Sequence, residues 1–379
     1  MPPARPFTNW LLAPPVSPGR SIVGIWERPT GPSLLERLRT EAELKTVGAA
    51  RFQGPLAQRN AAWLVYRNFL RQALSNFRAA LGVENRSASL LYYYAMLNFA
   101  KAELLALGIP GVDGFIGHGL TFNVTRAKTV EGDSLTVRDG VFPALYQART
   151  GRAIRVGTRL PIGRLIAQIP EIGEQAEVVK VATPKVFGLL QLIAMDASNI
   201  WTLLAVDPSA NLQTEDVTGR LFRRHFTPVD PPPEWKDRFA VSRRWPSMLF
   251  AESRTVYPFT PGNDKERALA QQDAVKATWT IRELLAFSPT GMWDAWLAPS
   301  LYKSKLLPMP PALARYALAF YASSLVRYRP SMFDTQVSPD QAYFFDSFAR
   351  ESAVPMLLDV LSGLTRTDYQ FWAEEEIRV

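Results

Sequence analysis

The apolar residues of this 379-residue chain change period twice, and that switch restricts the fold more than any other feature. From Pro32 onward Leu34, Leu35, Leu38 and Leu44 recur at helical spacing with charges between them, which places them on one helix face. Pro55 opens a longer helix over about 56–81, with Trp63, Tyr66, Leu70, Leu74 and Phe77 on its apolar side. A further helix is expected with Ser87 as its N-cap and Leu90, Leu91, Tyr94, Leu97 and Leu104 along it, until Gly108 and Pro110 stop it. Then the period shortens. Runs at 121–125 and 134–138 flank Glu131-Gly132-Asp133, a hairpin signal. Strands are expected at 154–156, 177–182, 201–206 and about 248–257, while 189–195 fits either strand or helix. Pro228 and Pro231-Pro232-Pro233 make 227–235 a stiff connector. After Pro261-Gly262 the helical period returns at 264–287, 311–326 and 344–364.

Helices, then strands, then helices imply an α+β fold, mainly α. The simplest arrangement packs the N- and C-terminal blocks as one helical bundle with a β-rich insertion. On this reading 33–120 and 264–370 form the helical unit, 121–263 the insertion and 371–379 a tail. Residues 1–32, rich in Pro and Gly and without period, form an extended arm over the surface or onto a partner.

Composition narrows the chemistry. With 47% hydrophobic and 21% charged residues the chain can bury a sizeable core. It has no cysteine, which excludes disulfides, thiolate metal sites, iron–sulfur clusters and thiol nucleophiles. It has only His118 and His225, with no HExxH spacing, so a zinc site would need carboxylates for most of its ligands; a metal held by carboxylates alone stays open, and no cofactor or metal is expected. Prolines interrupt the N-terminus where a signal peptide needs an apolar core, and the apolar runs are too short to span a bilayer. A cytoplasmic protein with no membrane partner is expected. There is no GxxxxGK[ST] loop, no GxGxxG after a strand and no GxSxG elbow.

The formal net charge is +8, and arginine outnumbers lysine 33 to 10. Guanidinium groups match phosphate oxygens in pairs, although a GC-rich genome raises Arg, Ala and Pro together. Five arginines and no acid lie between Arg51 and Leu81, and Arg67, Arg71 and Arg78 fall within about 40° on one helix flank. They form either a solvated face or a strip that meets a polyanion. A second basic stretch, 220–245, interleaves Arg223, Arg224, Arg243 and Arg244 with Trp235 and Trp245. Cations that hold a backbone and rings that stack bases are the ingredients of single-strand binding.

A few polar residues could carry chemistry. His118 stands between two glycines just past a helix, where an imidazole is open to a ligand. Lys101 and Asn98 share one helix face, with Tyr94 a turn earlier. A lysine in an apolar helix is costly unless it is paired, lines a polar cavity or reaches solvent. Arg327 and Arg329 close an apolar helix before Pro330, where positive charge also suits the helix dipole. If Arg327, His118, Lys101 and Tyr94 converge, the pocket would suit an anion such as a nucleotide phosphate, with Asn98 and Arg329 beside it.

Two segments carry a family resemblance. The first is Leu90-Leu91-Tyr92-Tyr93-Tyr94-Ala95-Met96-Leu97-Asn98-Phe99-Ala100-Lys101-Ala102, followed by Gly117-His118-Gly119-Leu120. The second is Leu307-Pro308-Met309-Pro310, then Ala317-Leu318-Ala319-Phe320 and Ser323-Ser324-Leu325-Val326-Arg327-Tyr328-Arg329-Pro330. In this order they resemble the YaaC-like family of bacterial proteins, which implies a scaffold rather than an activity. More distantly, the tyrosine-rich helix is similar to one in the HEPN superfamily, which includes RNA-cleaving toxins, defence effectors and non-catalytic binding proteins. Catalytic members use Arg-x4-6-His near a helix start. The one literal match here, Arg220 to His225, lies outside the helical blocks beside Pro228.

Two function classes stay open on the sequence. One is a non-catalytic binding or scaffold protein of a bacterial stress or phage-defence assembly, with a protein partner or a second copy of itself, and RNA or DNA as a further partner. The other is a HEPN-like effector that cleaves or modifies RNA or nucleotides, with His118 or His225 as its acid–base residue and Arg327 beside it.

Overall fold

The computed structural model describes every residue except 14–18, 26–28, 113–116, 123–128, 208, 233–247, 287–294 and 372–379. The fold is α+β and mainly helical, with antiparallel sheets. The chain divides into two compact units, one of 27–184 and 311–367, the other of 1–26, 185–310 and 368–379. The sequence reading sets its boundaries at 121 and 263, whereas the packing sets them at 185 and 311. The reason is local: the short helix Ile162–Ile166 packs on a C-terminal helix of the first unit, and Asp264–Val275 packs on the strands of the second.

The first unit is a bundle of α1 (Gly31–Glu43), α2 (Leu56–Leu81), α3 (Asn85–Ala106), α4 (Val141–Thr150), α5 (Pro311–Tyr328), α6 (Pro339–Glu351) and α7 (Ala353–Thr365). N-terminal and C-terminal helices interlock: α3 lies along α2, α5, α6 and α7, and α1 lies on α2 and α7. Both α3 and α5 are buried on most sides, consistent with their continuous apolar sequences. Thr30 starts α1 through a reciprocal cap with Ser33. At the start of α3 the cap position is Glu84, so Ser87 lies inside the helix and not at its N-cap. The expected single helix over 344–364 is two helices, split at Ser352. Pro355 has no N–H and its ring would strike the carbonyl four residues back, so α6 cannot run on into α7.

A small sheet completes this unit. Ser134–Gly140 pairs antiparallel with His118–Phe122 on one side and Arg159–Pro161 on the other. Two expected strands do not form here: 154–156 is a loop, and 177–182 ends the helix Gly173–Val178 and turns.

The second unit is built on an antiparallel sheet in the order Leu285–Ala286, Ala295–Leu297, Phe187–Met195, Asn199–Val206, Leu249–Ser253, Phe226–Val229. Asp196 makes the central hairpin, its Oδ1 accepting from the backbone N–H of Ser198 at 2.8 Å and Asn199 at 2.7 Å. The two central strands are buried on both faces, which explains why their apolar runs show no alternation. One face carries Leu189, Leu204 and Val206 against Phe222, Ile281 and Leu284. The other carries Leu190, Leu192, Trp201 and Leu203 against Phe7. The buried Gln191 is satisfied by the Val275 carbonyl at 3.0 Å and the Thr278 hydroxyl at 3.0 Å.

Two stretches of the N-terminal segment pair as strands. Asn9–Leu12 pairs with Phe187–Met195, and Ser21–Ile25 pairs with Thr367–Phe371. Likewise Pro228 lies in a strand rather than in a connector. Among the described residues no helix is long and apolar enough to cross a membrane.

Candidate functional site

His118 opens the edge strand of the small sheet, where the pairing shifts register between His118 and Leu120. Glycines make this geometry. Gly119 sits at φ +80° and Gly140, opposite His118, at φ +138°. A Cβ on Gly119 would lie 2.6 Å from the Phe142 nitrogen, and one on Gly140 would overlap the Gly117 carbonyl. The Val141 N–H closes the turn on the Gly117 carbonyl at 2.9 Å. The backbone thus fixes where His118 leaves the strand, with its ring directed to α3 and α5.

There the imidazole meets Tyr93, whose hydroxyl is hydrogen-bonded to Nδ1. The Phe320 ring lies 6.3 Å from the imidazole and 5.2 Å from Tyr93. Burial pushes the His118 pKa below its ordinary value, and the positive charges of Arg327 and Lys101 push it further down. Burial also holds the Tyr93 phenol up, with Tyr94 adding to the effect. A neutral phenol has one proton to place. The assignment that satisfies both groups has Tyr93 donating to Nδ1, so that the ring proton sits on Nε2. His118 therefore presents an N–H, beside two cations.

Those cations come from different helices. Lys101, on α3, is half-buried with its ammonium 5.5 Å from the centre of Phe69, and burial lowers its pKa. Arg327, at the end of α5, is exposed, donates from Nε to the Ser323 carbonyl at 3.3 Å and lies 5.5 Å from the centre of the Tyr328 ring. The end of α5 is fixed from the small sheet. Buried Asp133 takes a salt bridge from Arg329 at 2.8 Å and a hydrogen bond from the Tyr321 hydroxyl at 2.7 Å.

The structure thus gathers His118, Arg327, Lys101 and, through its neighbour Tyr93, Tyr94. Two other residues of the expected pocket are committed elsewhere. Arg329 is held by Asp133, and Asn98 turns back to donate to the Tyr94 carbonyl at 2.9 Å. Tyr93 and Phe320 carry no local anomaly that marks them in the sequence, although both lie inside the family motifs.

The arginine strip on α2 has an anionic partner from α1. Glu43 is clamped by Arg71 through two bonds of 2.6 Å and by Arg67 at 3.0 Å. Arg78 is exposed on the same helix. The hydrogen bonds from Arg71 and then Arg67 hold the Glu43 carboxyl at about 2. The stabilisation this clamp provides is full above the ordinary carboxylate pKa and is lost as pH falls through about 2. Since the clamp is partly exposed, Glu43→Gln should lower stability at pH 7 by only about 0.5–1 kcal/mol. The loss should shrink in urea melts at pH 3. It should also steepen the salt dependence of any binding to a polyanion, because two guanidinium groups are released.

In the second basic stretch, Arg223 lies on the helix Val217–His225 and is tied to its own surroundings. It pairs with Glu215 at 2.9 Å and donates to the Thr214 carbonyl at 2.7 Å. Arg224 is exposed. Trp235, Arg243, Arg244 and Trp245 lie outside the described residues. Arg220 and His225 both belong to this helix, and the Arg220 guanidinium bonds the Glu215 carbonyl.

A further polar cluster, absent from the sequence reading, is buried in the bundle. Arg315 is fully buried on α5 and clamps Glu171 at 2.6 and 2.7 Å and Asp359 at 2.5 Å. Arg149 on α4 joins Glu103 at 2.6 Å and the Asp359 carbonyl at 2.9 Å. The signal was present: Arg315 is a charge amid Ala, Leu and Tyr, the same anomaly that marks Lys101. Among the described residues no group of three or more His, Asp or Glu side chains is placed to hold a metal ion.

Fold and site together define an α+β protein whose helical unit gathers a histidine, a lysine and an arginine around a buried tyrosine. The chain belongs to the YaaC-like family: the family model described as YaaC-like Protein matches residues 52–358, which include every segment of the resemblance. No curated protein and no solved structure matches the chain. None of these comparisons shows a HEPN likeness.

Proposed function

We propose that this protein is a non-catalytic binding protein that recognises an anion at His118, Arg327 and Lys101. The observation that supports this reading is the convergence of Arg327 and Lys101 on His118, whose protonation is suppressed first by burial and then by those two cations. Such a cluster is electrostatically unfavourable when empty, and a bound anion relieves it. With Tyr93 donating to Nδ1, the neutral ring offers its Nε2–H to an anion, and a proton taken up on binding enters at Nδ1 as Tyr93 turns to accept. Within this reading the protein serves a bacterial stress or phage-defence assembly, through a protein partner or a second copy of itself. RNA or DNA on its basic faces is the further option. Genes for nucleases or ATPases beside its own would support that setting.

Calorimetric titration with sulfate, whose charge is constant over the range, tests the site. An anion between the cations raises the His118 pKa, so binding takes up a proton and affinity should rise as pH falls from 8 to 5.5. Arg327→Ala should weaken binding about tenfold, and His118→Ala should flatten the pH profile. Absence of binding, or a profile unchanged in His118→Ala, would remove the site. Incubation with tRNA and total RNA tests the other class. Degradation lost in both His118→Ala and Arg327→Ala would replace this reading with a HEPN-like nuclease.

A further inference from the structure

The rings around the site narrow the class of anion. Tyr94 and Tyr328 are among the large side chains left exposed, at 39% and 57%. Each touches one member of the site. The Tyr94 ring packs 5.4 Å from Tyr93, which holds His118, and the Tyr328 ring lies 5.5 Å from the Arg327 guanidinium. Exposed aromatic rings are costly to solvate and are used where a flat ligand stacks on them. A second observation lies beneath. The Tyr316 ring lies 6.4 Å from that of Tyr93, and its buried hydroxyl has no hydrogen-bond partner among the described residues.

We propose that the site takes a phosphate ester of an aromatic base, the phosphate on His118, Arg327 and Lys101 and the base against Tyr94 or Tyr328. This rests on the anion reading above and adds the stacking half of the ligand. Free mononucleotides and a single strand's terminal nucleotide share that chemistry.

Calorimetry with four probes tests it: AMP, ribose 5-phosphate, adenosine and a 5′-phosphorylated oligoadenylate. AMP should bind tenfold or more tighter than ribose 5-phosphate. Tyr94→Leu or Tyr328→Leu should reduce that ratio. Because both rings are exposed, circular dichroism should show the variants folded. Arg327→Ala should weaken AMP and ribose 5-phosphate alike. Tight binding of the oligomer with weak binding of AMP would support the same chemistry with a strand as its source. Equal affinity for AMP and ribose 5-phosphate, or a ratio unmoved in both tyrosine variants, would overturn the stacking proposal and leave the anion site standing. Adenosine binding as well as AMP, with ribose 5-phosphate inert, would overturn the anion site itself.

Discussion

Replacing Arg315 with alanine should lower the stability of the helical unit by about 3–5 kcal/mol, the usual loss when one partner of a buried ion pair is removed. The guanidinium is fully buried and satisfies both oxygens of Glu171 and one of Asp359. Without it two carboxylates face each other in the core with Arg149 as the nearest cation. Burial already outweighs Arg315 and Arg149 at Asp359 and holds its pKa above the ordinary value. In the variant that pKa rises further. A raised folded-state pKa makes the variant relatively more stable when the acids are protonated. The gap between variant and parent should therefore narrow as pH falls toward the ordinary carboxylate range. Urea melts followed by far-ultraviolet circular dichroism at pH 7 and 5 read both effects. Arg315→Met combined with Glu171→Gln and Asp359→Asn should recover much of the loss, because no bare charge remains. A loss under about 1 kcal/mol for Arg315→Ala would mean that water reaches the cluster and the pairing contributes little.

Gly140→Ala should cost about 2–4 kcal/mol, the sum of backbone strain at positive φ and overpacking against fixed main chain. Gly140 lies at φ +138°, and a Cβ there would overlap the Gly117 carbonyl and stand 2.7 Å from the Gly119 nitrogen. No side chain can swing aside to relieve this, since both contacts are backbone. The strand end carrying His118 must shift instead. The variant should therefore lose anion affinity together with stability, whereas Gly151→Ala, also at positive φ but with open space around its Cβ, should show only the smaller backbone penalty. Urea melts and sulfate titration of the two variants separate the effects. Equal losses in both would mean that the glycine's φ, and not the contact with the His118 turn, sets the cost.

The period of the apolar residues was enough for the helical bundle. Helices at 56–81 and 311–326 appear where the spacing puts them, and 201–206 lies in a strand as expected. The pattern misled where burial covers every face. The strand at Phe187–Met195 is apolar on both sides, so alternation, the usual sign of a strand, is absent. Short segments with mixed character at 154–156 and 177–182 obeyed their neighbours and not their own propensity.

His118 and Lys101 were legible because each breaks a local rule, an imidazole between glycines and an ammonium in an apolar helix, whereas Arg327 obeys one and stood out only as the charge that closes an apolar helix. The sequence by itself determined that these charges exist in awkward places, together with the α+β class and the absence of thiol chemistry. Only the tertiary structure decided their partners. Tyr93 is 25 residues from His118, Glu171 is 144 from Arg315, and Glu43 comes from α1 to a stretch of α2 that holds arginines and no acid. Partner choice across such separations is set by which helix faces meet when the apolar sides are buried. The charges have to accept whatever opposite groups that packing brings within reach.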